Sequence, residues 1–198
     1  ALGVLINLGP RVGRFNADGS ANDLPGHNVP MTIAGLMIII IGFFGFLGAC
    51  LIYPAPMAGS TADAGWLNIY GGATNLSAFA FNTLMSFAGG IIGAYLITKD
   101  PFWMMSGALA GIFCAAAGLD LWYPGTAFAL GFLGGVVIPY AHKMITSWGI
   151  DDAVGAVSVH GVCGLIGVLA VGVLLGGYPT HAEGIPAISF TGQLVGAI

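Results

Sequence analysis

Long apolar stretches separated by short polar segments make up most of this chain. A bilayer core of about 30 Å requires roughly 20 helical residues. The pattern therefore predicts five full membrane-spanning helices, at about residues 31–52, 73–97, 102–118, 125–141 and 153–176. Shorter apolar stretches at the start of the chain and from about Ile188 predict parts of two further helices. We expect a single transmembrane domain that is truncated at both ends.

The composition supports a membrane protein. Of 198 residues, 57% are hydrophobic and 6% are charged, and the net charge is −4. Water-soluble domains carry about 25% charged residues, so a soluble surface cannot be built from this chain. The 34 glycines favour close packing of membrane helices where they lie inside apolar stretches. We therefore predict an all-α, polytopic helical bundle in contact with the lipid bilayer, and no nucleic-acid partner.

The basic residues predict how the helices are oriented. If the spans cross alternately, one side of the membrane receives every Lys and Arg of the chain: Arg11, Arg14, Lys99 and Lys143. The opposite side receives Asp63, Asp120 and Glu183. Loops rich in Lys and Arg stay in the cytoplasm. We therefore predict that the basic side is cytoplasmic.

His160 is the first candidate for chemistry because it interrupts the charge-free run that follows Asp151 and Asp152. An ionisable side chain in hydrocarbon is costly and usually marks a transport pathway, although it can also serve as a hydrogen-bonding group between helices. The two aspartates are predicted to cap the helix that carries it. The remaining histidines, His27, His142 and His181, are predicted to be solvated.

The cysteines give no sign of a metal site. Cys50, Cys114 and Cys163 each lie within or at the end of an apolar segment, and no CxxC motif or His/Cys cluster with ligand spacing is present. We interpret them first as small buried apolar side chains, and we expect neither a metal nor another cofactor.

Several motifs, in order, resemble the ammonium transporter (Amt/Mep/Rh) family. The segment DDAVGAVSVHGVCG around His160 resembles a family motif that ends in VHGVCG. GPRVGRF, PGHNVPM, GFFGF, FNTLMSFAGG and SGALAGIFCAAAG resemble family segments from the loop before the sixth helix to the eighth helix. The resemblance covers essentially the whole chain, from the end of the fifth to the start of the eleventh helix.

This resemblance implies the fold of the complete protein. The family has an eleven-helix bundle whose two five-helix halves are related by inverted pseudo-symmetry, and it assembles as a homotrimer in the plasma or inner membrane. The chain would supply roughly the second half. Each subunit would carry its own narrow apolar pore, and a PII-type regulatory protein could dock on the cytoplasmic side.

The resemblance also implies a function and a set of pore residues. The function is transport of ammonium or ammonia, with deprotonation of ammonium. His160 matches the second of two pore histidines, and Phe46 matches a phenylalanine that gates the outer end of the pore. Phe43 stands where the family often has Trp, Leu47 where Asn is more usual, and Cys50 where many members have Ser at the outer recruitment site. These departures are expected to weaken ammonium capture.

Two other interpretations remain open from the sequence. Some family members join an Amt-like domain to a signalling module, so a membrane-embedded ammonium sensor with little or no transport is the alternative. An enzyme is disfavoured because no nucleophile–base set is evident.

Asn82 lies in the FNTLMSF segment. A buried Asn in a membrane helix more often packs against other helices through hydrogen bonds than contacts substrate, so we expect a packing role for Asn82.

Overall fold

A computed structural model describes residues 1–49, 76–177 and 187–198. All the regular elements of these residues are helical. In chain order they are α1 Leu2–Leu8, α2 Val29–Ala49, α3 Leu76–Thr98, α4 Pro101–Ala115, α5 Pro124–Ser147, α6 Cys163–Leu174 and α7 Phe190–Ala197. A 3₁₀ turn, Ala116–Gly118, extends α4, and a π-helical turn, Val157–Val162, precedes α6.

Five helical segments of the described residues are long and apolar enough to cross a membrane. They occur in the same order as the predicted spans: Val29–Ala49, Ser77–Thr98, Pro101–Gly118, Pro124–Ser147 and Val157–Leu174. The regular elements of the described residues are therefore all helical, and these spans indicate a multi-pass membrane protein.

Two helix ends differ from the sequence-based boundaries. Helix α5 continues to Ser147 instead of ending near residue 141, because Ile145 is buried in the bundle and extends its apolar face. Gly149, with φ of 75°, then donates its N–H to the Thr146 carbonyl and terminates the helix. The fifth span becomes helical only after Gly155, whose φ of 71° belongs to a turn.

Helices α3, α4 and α5 form the centre of the bundle, and glycines allow their backbones to touch. A Cβ atom on Gly107 of α4 would lie 2.5 Å from the carbonyl oxygen of Gly90 on α3. A Cβ atom on Gly135 of α5 would also overlap the Gly90 carbonyl. Small residues at such crossings maximise van der Waals contact between helices that lipid cannot drive together.

Helix α6 packs against α4 in the same way, whereas α2 is more peripheral. A Cβ atom on Gly167 of α6 would lie 2.7 Å from the Phe113 carbonyl oxygen of α4. In α2 the buried residues are Leu36 and Gly48, and most of the helix is exposed. Helix α4 is thus the element that connects α2, α3, α5 and α6.

The expected packing role of Asn82 is confirmed. Its side-chain amide on α3 donates hydrogen bonds to the carbonyl oxygens of Leu119, at 2.8 Å, and Trp122, at 2.7 Å. The Trp122 indole N–H in turn donates to the Ala115 carbonyl at 2.8 Å. These bonds hold the connection between α4 and α5 against the start of α3.

Candidate functional site

His160 lies in the π-helical turn Val157–Val162. Its side chain is exposed, whereas the neighbouring Ser158 and Val159 are buried. A π turn inserts one extra residue into a helical turn and frequently occurs at functional sites. The turn therefore brings the imidazole to the open side of the helix while its neighbours anchor the backbone in the bundle.

Asp152 fixes the start of this turn. Its carboxylate accepts the backbone N–H of Ala156 at 2.7 Å and that of Val157 at 2.8 Å. The predicted capping role of Asp152 is thus confirmed. A buried carboxylate that accepts unsatisfied N–H groups at a helix start also interacts favourably with the helix dipole.

Asp151 does not share that role. It accepts hydrogen bonds from the Arg11 guanidinium at 2.7 and 2.9 Å and from the Arg11 backbone N–H at 3.0 Å. The Arg14 Nε lies 3.3 Å from Asp151 Oδ1, which also accepts a hydrogen bond from Arg11. The hydrogen bonds from Arg11 lower the pKa of Asp151 below its usual value. The prediction of a helix cap was wrong for Asp151, which instead ties the loop after α1 to the segment before His160.

Aromatic rings from two other helices lead to His160. The Phe113 ring of α4 lies 4.1 Å from the His160 ring, centroid to centroid, at an interplanar angle of 63°. The Phe43 ring of α2 lies 5.4 Å from the Phe113 ring at 79°. We call Phe43, Phe113 and His160 the aromatic row. Two of the four candidate pore residues are therefore connected through a residue that the sequence analysis did not select.

The other two candidates are Phe46 and Cys50. Phe46 is on α2, three residues after Phe43, with 65% of its surface exposed. Cys50 lies outside the described residues. Leu47 packs against the buried core instead of facing away from it.

His142 also differs from its predicted solvated environment. It lies on α5, is half-buried, and packs its ring 5.0 Å from the Trp103 ring of α4. His27 is exposed as expected, and His181 lies outside the described residues. Cys114 and Cys163 are unpaired and fully buried, as expected for small apolar side chains.

The aromatic row presents two apolar rings, Phe43 and Phe113, and one polar ring, His160. Phe43 and Phe113 offer ring faces and edges, and the imidazole offers one hydrogen-bond donor and one acceptor when neutral. Among residues 1–49, 76–177 and 187–198, no three His, Cys, Asp or Glu side chains come together as metal ligands would.

The family model described as Ammonium Transporter Family matches residues 1–197. The chain belongs to the ammonium transporter family.

Two of the similar members of the ammonium transporter family come from archaea. The chain is 33% identical to ammonium transporter Amt1 of Methanocaldococcus jannaschii over 96% of this chain and 44% of that protein. It is 34% identical to ammonium transporter Amt2 of Haloferax mediterranei over 96% of this chain and 41% of that protein. These relatives are named as transporters, not as enzymes.

A solved structure shares the fold. The structure titled "Sensor Amt Protein" superimposes with a TM-score of 0.77 and 28% sequence identity, over 98% of this chain and 45% of that one. The chain is thus an Amt-like helical bundle and spans less than half the length of the family members that it matches.

Proposed function

We propose that the full-length protein carries ammonium across the membrane through a narrow apolar pore in each subunit. His160 would be the second of a pair of pore histidines, with the first outside this chain. The observation that supports this proposal is the position of His160. Its exposed imidazole lies in the first turns of the apolar span Val157–Leu174 and contacts the Phe113 ring.

The cost of desolvation explains how a narrow apolar pore selects its substrate. An ion that enters an apolar tube loses its hydration at a cost of many kcal/mol, whereas a neutral molecule of the same size loses much less. Ammonium therefore gives up a proton before the constriction, and ammonia passes. The neutral imidazole of His160 supplies a polar partner for ammonia and a relay for the proton, which crosses separately.

The outer residues would capture the cation. Ring faces attract cations, so Phe46 is proposed to gate the outer end of the pore and Phe43 to line it. Cys50 would stand at the recruitment site, where a thiol accepts hydrogen bonds more weakly than a hydroxyl. We further propose a homotrimer in the plasma or inner membrane, with a PII-type regulatory protein on the cytoplasmic side.

The experiment measures current from the full-length protein in liposomes after an ammonium jump. We expect a current that saturates with ammonium and that is lost in His160→Ala. His27→Ala, which removes an exposed loop imidazole, is the matched control and should keep the current. Undiminished current in His160→Ala would reject the pore role of this histidine.

Sensing is the second candidate function. It is supported by the likeness to a structure titled as a sensor and by the Phe43 and Cys50 departures from the family pattern. Saturable ammonium binding without current in the wild-type protein would favour it. A signalling module in the sequence after Ile198 would support the same conclusion.

A further inference from the structure

We propose that Phe113 is a positioning and size-selecting residue of the pore, a role that rests on the proposed function. Phe113 would hold the His160 imidazole in one orientation. Together with Phe43 it would set the width of the passage beside that ring. The expected consequence is discrimination between ammonium and its methylated analogue.

The contact between Phe113 and His160 is short and angled. With 4.1 Å between centroids and 63° between planes, the edge of one ring meets the face of the other. Such aromatic contacts favour tilted geometries over free rotation of either ring. Phe43 contacts Phe113 from α2 at 79° and limits the space into which the Phe113 ring could move.

The backbones on both sides of the contact are also fixed. A Cβ atom on Gly167 would lie 2.7 Å from the Phe113 carbonyl oxygen, so α4 and α6 touch at the backbone of Phe113. Asp152 anchors the N-terminal end of the π turn that carries His160. Since neither helix can move without breaking these contacts, the separation between the rings is set by the fold.

This arrangement places the bulky Phe113 ring against the His160 imidazole, which is the polar member of the aromatic row. His160 is exposed and its ring contacts the Phe113 ring, so a molecule that binds the imidazole would also meet the Phe113 ring. An added methyl group in a tight site is rejected by about 10- to 200-fold. Phe113 therefore provides a physical basis for rejecting methylammonium.

The test compares ammonium and methylammonium currents in liposomes containing the full-length protein. In Phe113→Ala, we expect the ratio of methylammonium to ammonium current to rise about tenfold, since one methyl group in a tight site is worth at least that factor. Phe113→Leu should give a smaller rise, and Phe113→Tyr, which keeps the ring, should retain the wild-type ratio.

A control on the same helix separates this role from general packing. Phe102 lies at the start of α4, about three turns from Phe113, and contacts the Trp103 ring at 5.6 Å. Phe102→Ala should leave the ratio unchanged even if it lowers the amount of folded protein. An unchanged ratio in Phe113→Ala, at matched amounts of folded protein, would overturn the proposal.

A second measurement does not depend on transport. In protein labelled with ¹⁵N-histidine, the His160 ring resonances should shift in Phe113→Leu, because a ring current is removed, and stay in place in Phe102→Ala. Unshifted His160 resonances would reject the positioning role whether or not the protein conducts. The wild-type protein could give no current while the His160 resonances still shift in Phe113→Leu. That result would reject the proposed transport and keep the positioning role of Phe113.

Discussion

Asn82 on α3 donates a hydrogen bond to the carbonyl oxygen of Trp122 at 2.7 Å. Its second amide hydrogen goes to the Leu119 carbonyl at 2.8 Å. The substitution Asn82→Leu would leave both carbonyls buried without a donor. An unsatisfied buried group costs about 1–3 kcal/mol, so we expect a clear fall in the melting temperature of the detergent-solubilised protein.

The matched control is Asn7→Leu. The Asn7 amide on α1 also donates to a backbone carbonyl, that of Gly3, but at an exposed position. Water can replace that bond, so the melting temperature should change little. Equal effects of the two substitutions would contradict a specific role for Asn82 in the α4–α5 connection.

The contact between α3, α4 and α5 predicts opposite effects for two Gly→Ala substitutions. A Cβ atom on Gly90 would overlap the Gly107 carbonyl of α4, so Gly90→Ala must push the helices apart and destabilise the protein by about 1–3 kcal/mol. Gly42 on α2 has no atom within 4 Å of the added Cβ position. Because Ala is about 1 kcal/mol better than Gly inside a helix, Gly42→Ala should be neutral or stabilising. Thermal unfolding of the two variants would check both signs.

Much of the fold could be predicted from the sequence because apolar length is a strong signal in a membrane protein. The order of the helices followed from it, and the packing role of Asn82 followed from its place in an apolar segment. The ends of helices were less predictable. The basic residues after residue 141 suggested that α5 stops there, yet the buried Ile145 extends it by more than a turn.

The sequence identified individual site residues only where a local signal distinguished them from their neighbours. His160 stood out as an ionisable group in an apolar run. Phe113 did not, since a phenylalanine in a membrane helix has the same local pattern whether it faces lipid, the core or another ring. The adjacent Asp151 and Asp152 looked equivalent, and their separate roles depend on Arg11, which is 140 positions away in the sequence.

Replacing Cys50 by Ser, the residue that many family members have there, is predicted to raise the affinity for ammonium. If Cys50 lies at the outer recruitment site, as the family resemblance suggests, Cys50→Ser replaces a weak acceptor by a hydroxyl. A better hydrogen bond to a cation is worth about 1 kcal/mol, so the ammonium concentration that gives half-maximal current should fall about fivefold. Cys114→Ser, at a fully buried position, should not lower it. A half-maximal concentration that does not fall in Cys50→Ser would argue against the recruitment role.

The Arg11–Asp151 pair predicts how stability depends on pH. Hydrogen bonds from Arg11 keep the pKa of Asp151 below the value of 3.8 expected for an unpaired carboxyl. The unfolded chain therefore binds more protons than the folded one as the pH falls below about 4. The stability contributed by the pair is present above that pH and is lost as the pH falls through the pKa of the folded state.

We expect Asp151→Asn to lower stability by about 1 kcal/mol at neutral pH, a modest figure because the Arg11 side chain is 44% exposed. The difference in melting temperature between wild type and variant should stay constant from about pH 7 to pH 5 and shrink below about pH 4. Asp23→Asn, which changes an exposed carboxylate of the preceding loop, is the control and should not reproduce the neutral-pH loss. A difference that persists undiminished at pH 3 would mean that Asp151 stabilises the fold through its shape or its neutral hydrogen bonds, and not through its charge.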